Sequence, residues 1–300
     1  MQSRCSHKAT NSHSPIHSFI LTMKDENINP VFKKANLIRF YSLTKRKTLF
    51  PAFDPQSYTS LLQPSRFMQY SALFIPLVWY ACLFLGTLGL YLGAWVAPSD
   101  FQQGENYRIL FIHVPSAWMS LLIYLLLTLT SGGFFFNKHP IFVYCSRILC
   151  AIGALFTCLT LVTGSLWGKP MWGTFWVWDA RLTSVLILLF IYLGALLLYE
   201  WSPDVAPLFV LIGLLNIPII KFSVNWWNTL HQSSSITQFG TEIHISMLLP
   251  MNILFFEFVL LVFLLFLLEL RHEIHQKTIH SLVQSSSIVS DSQPKAYNHK

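Results

Sequence analysis

Six apolar runs, at roughly 71–96, 114–133, 143–163, 182–199, 206–221 and 247–270, alternate with short polar loops and leave this chain few folds to choose from. A helix needs about 20 apolar residues, within a range near 17–25, to cross a bilayer core. Four runs reach that length easily. The fourth and fifth are shorter, and Asn216 and Pro218 interrupt the fifth. A proline is tolerated in a membrane helix where its neighbours re-satisfy the freed carbonyl. Charged residues make up 11% of the chain, against about a quarter in a soluble domain. The expected fold is therefore an all-α integral membrane protein, a bundle of about six transmembrane helices with functional loops on its outer face.

The net charge of +7 does not indicate nucleic acid. Ten of the twenty Lys and Arg residues precede residue 70, and no basic patch carries interleaved base-reading residues. Residues 1–68 form a basic, Ser- and Asn-rich stretch with only Asp25, Glu26 and Asp54 as acids, compatible with a disordered extension, a transit segment or a misassigned start. Residues 69–272 are the expected membrane domain and 273–300 a polar C-terminal tail. With six spans, the basic leader, Lys138, Arg147, Arg271 and Lys277 share one side, and only Arg108, Lys169, Arg181 and Lys221 lie on the other. The positive-inside rule places both termini in the matrix or cytoplasm and the 1–2, 3–4 and 5–6 loops outside. The five cysteines contain no C-x-x-C pair, and four sit in or beside apolar runs as small hydrophobes.

The loop between the third and fourth runs reads Trp167-Gly-Lys-Pro-Met-Trp172-Gly-Thr-Phe175-Trp176-Val-Trp178-Asp179-Ala-Arg181. Two readings of its tryptophans stand. Tryptophan favours the headgroup zone, so they can form an interfacial belt. A belt has no need of Gly168, Pro170 and Gly173, which fix tight backbone geometry, nor of an Asp and an Arg two residues apart. The second reading is a rigid aromatic platform for a flat cofactor, with Asp179 and Arg181 as polar handles.

Two histidines share that side. His113 stands where the second run begins, and His231 follows Asn225-Trp-Trp-Asn228 in the 5–6 loop. A lone loop histidine is ordinarily solvated or a cap. Two imidazoles flanking aromatic walls match a bis-histidine haem site, with haem iron held through His113 and His231. Arg108, Lys169 and Arg181 are the cations able to pair with the propionates. His244 is a rival on the same side, whereas His139, His272, His275 and His280 fall on the other. Glu257, inside the sixth run, is either a functional carboxylate or one protonated or paired with a neighbouring helix. Gly89 and Gly93 suit close helix packing.

The run Gly168 to Ser184 closely resembles the tryptophan-rich signature of the haem-handling proteins, and within them the cytochrome c maturation C (haem exporter protein C) family. Arg108 to Ser116 and Ile217 to His231 are also similar to that family, particularly its plant and algal mitochondrial forms, and the likeness covers about residues 68–270. It implies that haem b is held transiently at the outer face by His113 and His231, against a platform of Trp167, Gly168, Pro170, Trp172, Gly173, Phe175, Trp176, Trp178 and Asp179. It further implies delivery to a haem chaperone, beside ATP-binding-cassette and small membrane subunits, in the mitochondrial inner membrane. Phe175 is a departure, since the family often has tryptophan there.

Three function classes are compatible with a chain of this kind. No nucleophile–base pair or phosphate loop is visible, so the first is a haem carrier and not an enzyme. The others are a haem ligase of the same tryptophan-motif superfamily and a substrate transporter. Ligases carry further histidines within their helices, and transporters carry polar spans and internal repeats. The runs here are almost purely apolar and give a bulky dianion no evident path, so haem is expected to reach the outer loops laterally from the bilayer.

Overall fold

The computed structural model describes residues 64–226, 231, 236–237, 240–241 and 243–291. The N-terminal extension up to residue 63, and the Trp227 to Leu230 approach to His231, lie outside the described residues. Two compact units divide the chain after Gln69, and apart from the first turns of α1 everything below belongs to the second, Tyr70–Lys300.

Helix α1 spans Pro64–Tyr91 and passes into a wider, π-wound turn at Leu92–Val96. A tight 3-10 turn, Glu105–Ile109, leads into α2, Leu110–Asn137. Lys138 stops α2 in a left-handed conformation, its N–H donating 2.8 Å to the Phe134 carbonyl. His139 then starts α3, Pro140–Trp172, by accepting the Ile141 N–H on its side chain, with Pro140 at the first helical position where its missing N–H costs nothing. Helix α4 spans Ala180–Trp201, α5 Ala206–Gly213 and α6 Asn216–Trp226. A two-residue antiparallel ladder, β1 (Ile236–Thr237) with β2 (Gly240–Thr241), precedes α7, Ile245–Asp291.

Among the described residues, six helical segments are long and apolar enough to cross a membrane: 65–96, 105–136, 140–172, 180–201, 206–223 and 245–285. The all-α, six-span expectation is borne out. The fifth span is present but broken, as α5 and α6. Pro218 has no N–H to offer the Leu214 carbonyl, and that carbonyl takes the Ile217 N–H at 3.1 Å instead. The sixth helix outruns its apolar stretch. Nothing between 271 and 291 breaks a helix, so α7 continues to Asp291, about 70 Å in all at 1.5 Å per residue.

Helix α2 is central, packing against α3, α5 and α7, and α3 also packs on α4 and α7. In lipid no hydrophobic force drives helices together, so tight packing and interhelical hydrogen bonds hold the bundle. Tyr124 and Tyr192 meet edge to face with centroids 5.3 Å apart, and their hydroxyls donate to the carbonyls of Val210 (2.8 Å) and Ser120 (2.7 Å). Ser131 gives its proton to the Leu127 carbonyl and lies 2.7 Å from the Tyr199 hydroxyl. The buried Asn216 amide donates 2.9 Å to the Ser184 carbonyl, which ties the break to α4. Gly89 of α1 accommodates Leu254 of α7, and Gly93 in the π-wound turn lies against Phe111 of α2.

Candidate functional site

One end of this bundle collects the start of α2, the end of α3, the start of α4, the end of α6 and the start of α7. The alternation of spans requires these to lie together, and the space between them is a cavity of about 280 Å³. That is close to the lower bound of roughly 300 Å³ for small-molecule sites. His113 from α2 and His231 both line it, with Trp167 and Trp172 from α3, Trp176 from the loop and Arg181 from α4. The rest of the lining is mainly apolar, including Val114, Ala117, Trp118 and Met251, with Ser120, Thr160 and Ser165 among them.

The tryptophan segment is only partly a loop. It was expected to be one from Trp167 to Arg181, but α3 continues to Trp172 with Pro170 inside it, and the non-helical stretch is Gly173–Asp179. Pro170 has no N–H to offer the Leu166 carbonyl, and a membrane helix tolerates that loss where neighbouring groups re-satisfy the freed carbonyl. Gly173 supplies the actual stop. At φ 77° it closes α3, its N–H donating 3.0 Å to the Lys169 carbonyl while Lys169 Nζ donates 3.1 Å to the Gly173 carbonyl. Gly168 leaves room for the Trp172 ring, which would lie 3.0 Å from any Cβ there.

The indoles form two edge-to-face pairs. Trp167 and Trp172 have centroids 5.2 Å apart, and Trp176 and Trp178 5.6 Å apart. The first pair is fixed from outside, because Trp167 Nε1 donates 2.9 Å to Gln103 in the 1–2 connection. Asp100 steadies that connection by accepting the N–H groups of Gln102 and Gln103. Trp176 turns inward, and its buried Nε1 has no hydrogen-bond partner among the described residues. Phe175 (54% exposed) and Trp178 (79% exposed) face outward and do not line the cavity.

Asp179 has a local role that the sequence reading did not assign. Its Oδ1 accepts the Leu182 N–H at 2.7 Å and so caps α4, while Oδ2 is buried without a partner among the described residues. Of the three candidate cations, only Arg181 lines the cavity. Arg108 is paired with Glu105 and donates 2.5 Å to the Gly93 carbonyl, and Lys169 lies 5.1 Å above the Phe175 ring. His244 caps the start of α7, its Nδ1 accepting the Ser246 N–H at 3.3 Å and lying 2.8 Å from the Ser246 hydroxyl. Glu257 is buried beside Gly86 of α1, away from the cavity.

His113 is anchored from behind. Its Nδ1 lies 3.1 Å from the Thr160 carbonyl oxygen and 3.1 Å from Thr163 Oγ1. These threonines and Gly164 sit inside an apolar run, where residue type and spacing do not single them out. The arrangement offers two imidazoles, the indoles of Trp118, Trp167, Trp172 and Trp176, one cation and, among the described residues, an unpaired N–H donor, in a mainly apolar lining. That suits a flat, largely apolar, metal-bearing ring with anionic edge groups.

A family model described as heme exporter protein C matches residues 57–285. A ccmC-like mitochondrial protein of cytochrome c biosynthesis from Marchantia polymorpha is 62% identical over 214 residues, covering 71% of this chain and 94% of its own length. Its counterpart in Arabidopsis thaliana is 53% identical over 71% of this chain and 83% of its own length. Heme exporter protein C of Escherichia coli strain K12 is 42% identical over 70% of this chain and 87% of its own length.

Proposed function

This chain belongs to the heme exporter protein C family, and from that premise we propose that it holds haem as cargo at the outer end of the bundle and delivers it to a haem chaperone for c-type cytochrome assembly. The observation that carries this reading is the convergence of His113 and His231 on one cavity walled by Trp167, Trp172 and Trp176. His113 and His231 would hold the iron through their ring nitrogens. The indoles bracket the macrocycle, and the apolar interior receives its hydrocarbon edge. Arg181 pairs with a propionate. The Trp176 N–H is buried without a partner, and it serves as a donor to an acceptor group on the cargo.

Delivery needs a site that can be emptied. Noncovalent walls and two displaceable nitrogen ligands meet that need, and no bond-making chemistry is assigned to the chain. The outward faces of Phe175 and Trp178 supply the contact for the chaperone, and ATP-binding-cassette and small membrane subunits work beside it. The mitochondrial names of the plant relatives and the distribution of Lys and Arg support a place in the mitochondrial inner membrane. The termini then lie in the matrix and the cavity opens to the intermembrane space. Haem enters the cavity from the outer side or the bilayer and does not traverse the bundle.

The test is a transfer experiment. Protein purified in detergent and loaded with haem should yield it to the haem-free chaperone, with a matching gain in the chaperone's own spectrum. Haem that stays with this chain through prolonged incubation with excess chaperone would contradict delivery.

A further inference from the structure

The support behind His113 is more specific than packing requires. Thr163 donates its hydroxyl proton to the Leu159 carbonyl at 2.7 Å, so its Oγ1 meets the imidazole as an acceptor. Thr160 turns its own hydroxyl to the Phe156 carbonyl at 2.8 Å and presents His113 with a backbone carbonyl, which can only accept. With acceptors alone around it, Nδ1 must carry the proton, and in the neutral ring Nε2 is left with its lone pair. The ring is also seated against glycine: a Cβ on Gly164 would lie 2.9 Å from Cε1 and 3.4 Å from Nδ1 of His113. Gly164 itself lines the cavity.

We propose that the Thr160–Thr163–Gly164 turn of α3 positions His113, fixing its Nδ1–H tautomer and ring plane so that Nε2 is presented to the haem iron as a strengthened ligand. This rests on the haem-holding reading and adds to it a set of positioning residues that act through His113, of which Thr160 and Gly164 also line the cavity and Thr163 does not. Hydrogen bonds of this kind orient a ligating histidine, raise its basicity and are costly to remove, typically by 10–100-fold in metal affinity. The Nδ1–H bonds give the ring partial imidazolate character, which favours ferric over ferrous iron. Thr163→Val, close in shape but without the acceptor, should therefore raise the midpoint potential of bound haem. Gly164→Ala should tilt the ring and weaken haem retention roughly tenfold or more.

The experiment uses the full chain in detergent. In the haem-free, 15N-histidine-labelled protein, NMR should show His113 protonated on Nδ1. Thr163→Val should loosen that preference and raise the potential of the loaded protein, and Thr163→Ser should restore both. A wild-type His113 protonated on Nε2 would overturn the proposal, as would wild-type potential and haem affinity in both Thr163→Val and Gly164→Ala. His113→Ala is measured alongside. If it keeps its haem, the haem-holding reading fails. If it loses haem while the Thr163 and Gly164 variants behave as wild type, only the positioning role fails. Should Gly164→Ala not fold, the Thr163→Val and Thr163→Ser pair decides.

Discussion

Trp176 and Trp178 stand edge to face, 5.6 Å between centroids and 78° between planes, yet they serve opposite surfaces. Trp176 turns into the cavity with its N–H buried and unpaired, while Trp178 is exposed at the rim. A regular extended stretch would put side chains two residues apart on the same face, so the Gly173–Asp179 connection departs from that geometry to send Trp176 inward and Trp178 outward.

An unpaired buried donor costs stability, and removing it can be neutral or favourable. Trp176→Phe should leave the melting temperature of the haem-free protein unchanged or slightly raised. Its haem affinity should fall roughly 2- to 10-fold, the worth of one neutral hydrogen bond. A thermal melt and a haem titration on the same preparation check both halves.

The two oxygens of Asp179 can be separated by substitution. Asp179→Ala removes the cap on α4 and should cost about 0.5–2 kcal/mol, whereas Asp179→Asn keeps an acceptor for the Leu182 N–H and most of the stability. Capture by the chaperone should weaken in both if the buried, unpartnered Oδ2 acts in handover. Full capture by Asp179→Asn would confine this residue to capping.

Arg181 and Arg108 should part company in a binding assay. Arg181→Ala should weaken haem but hardly affect haem dimethyl ester, which lacks the propionate charges. Arg108→Ala should disturb the Gly93 and Glu105 contacts and treat the two ligands alike. Equal losses for both ligands in Arg181→Ala would remove it as the propionate partner.

Tyr199→Phe is a control for stability without binding. It deletes the hydroxyl contact to Ser131, away from the cavity, and should cost about 0.6 kcal/mol and no more than roughly 1.7. Unfolding in mixed micelles measures the loss, and the haem titration should match wild type.

Much of this was legible in residue order. Six apolar runs became six spans, and counting spans alone brought His113, His231 and the tryptophans to one end. Less legible was anything settled by a local hydrogen bond. Composition cannot distinguish Trp167–Trp172 as the last turn of α3 from a loop, because a proline near a helix end is tolerated. Asp179 as a cap has an ordinary signal, an acidic residue just before an apolar run, but the surrounding tryptophans drew it into the platform. Arg108 gave no sign that Glu105, one turn earlier, would hold it. Thr160, Thr163 and Gly164 are hidden for a deeper reason: small residues in a membrane helix usually mark packing, and only the imidazole placed against them gives them another meaning.

The most direct measurement is the Soret spectrum and haem content of the purified protein beside His113→Ala and His231→Ala. Each variant should lose the low-spin bis-histidine spectrum and most of its haem, while a folded bundle persists by thermal melt. Wild-type haem content and an unchanged Soret band in both would contradict the claim that His113 and His231 together hold the iron.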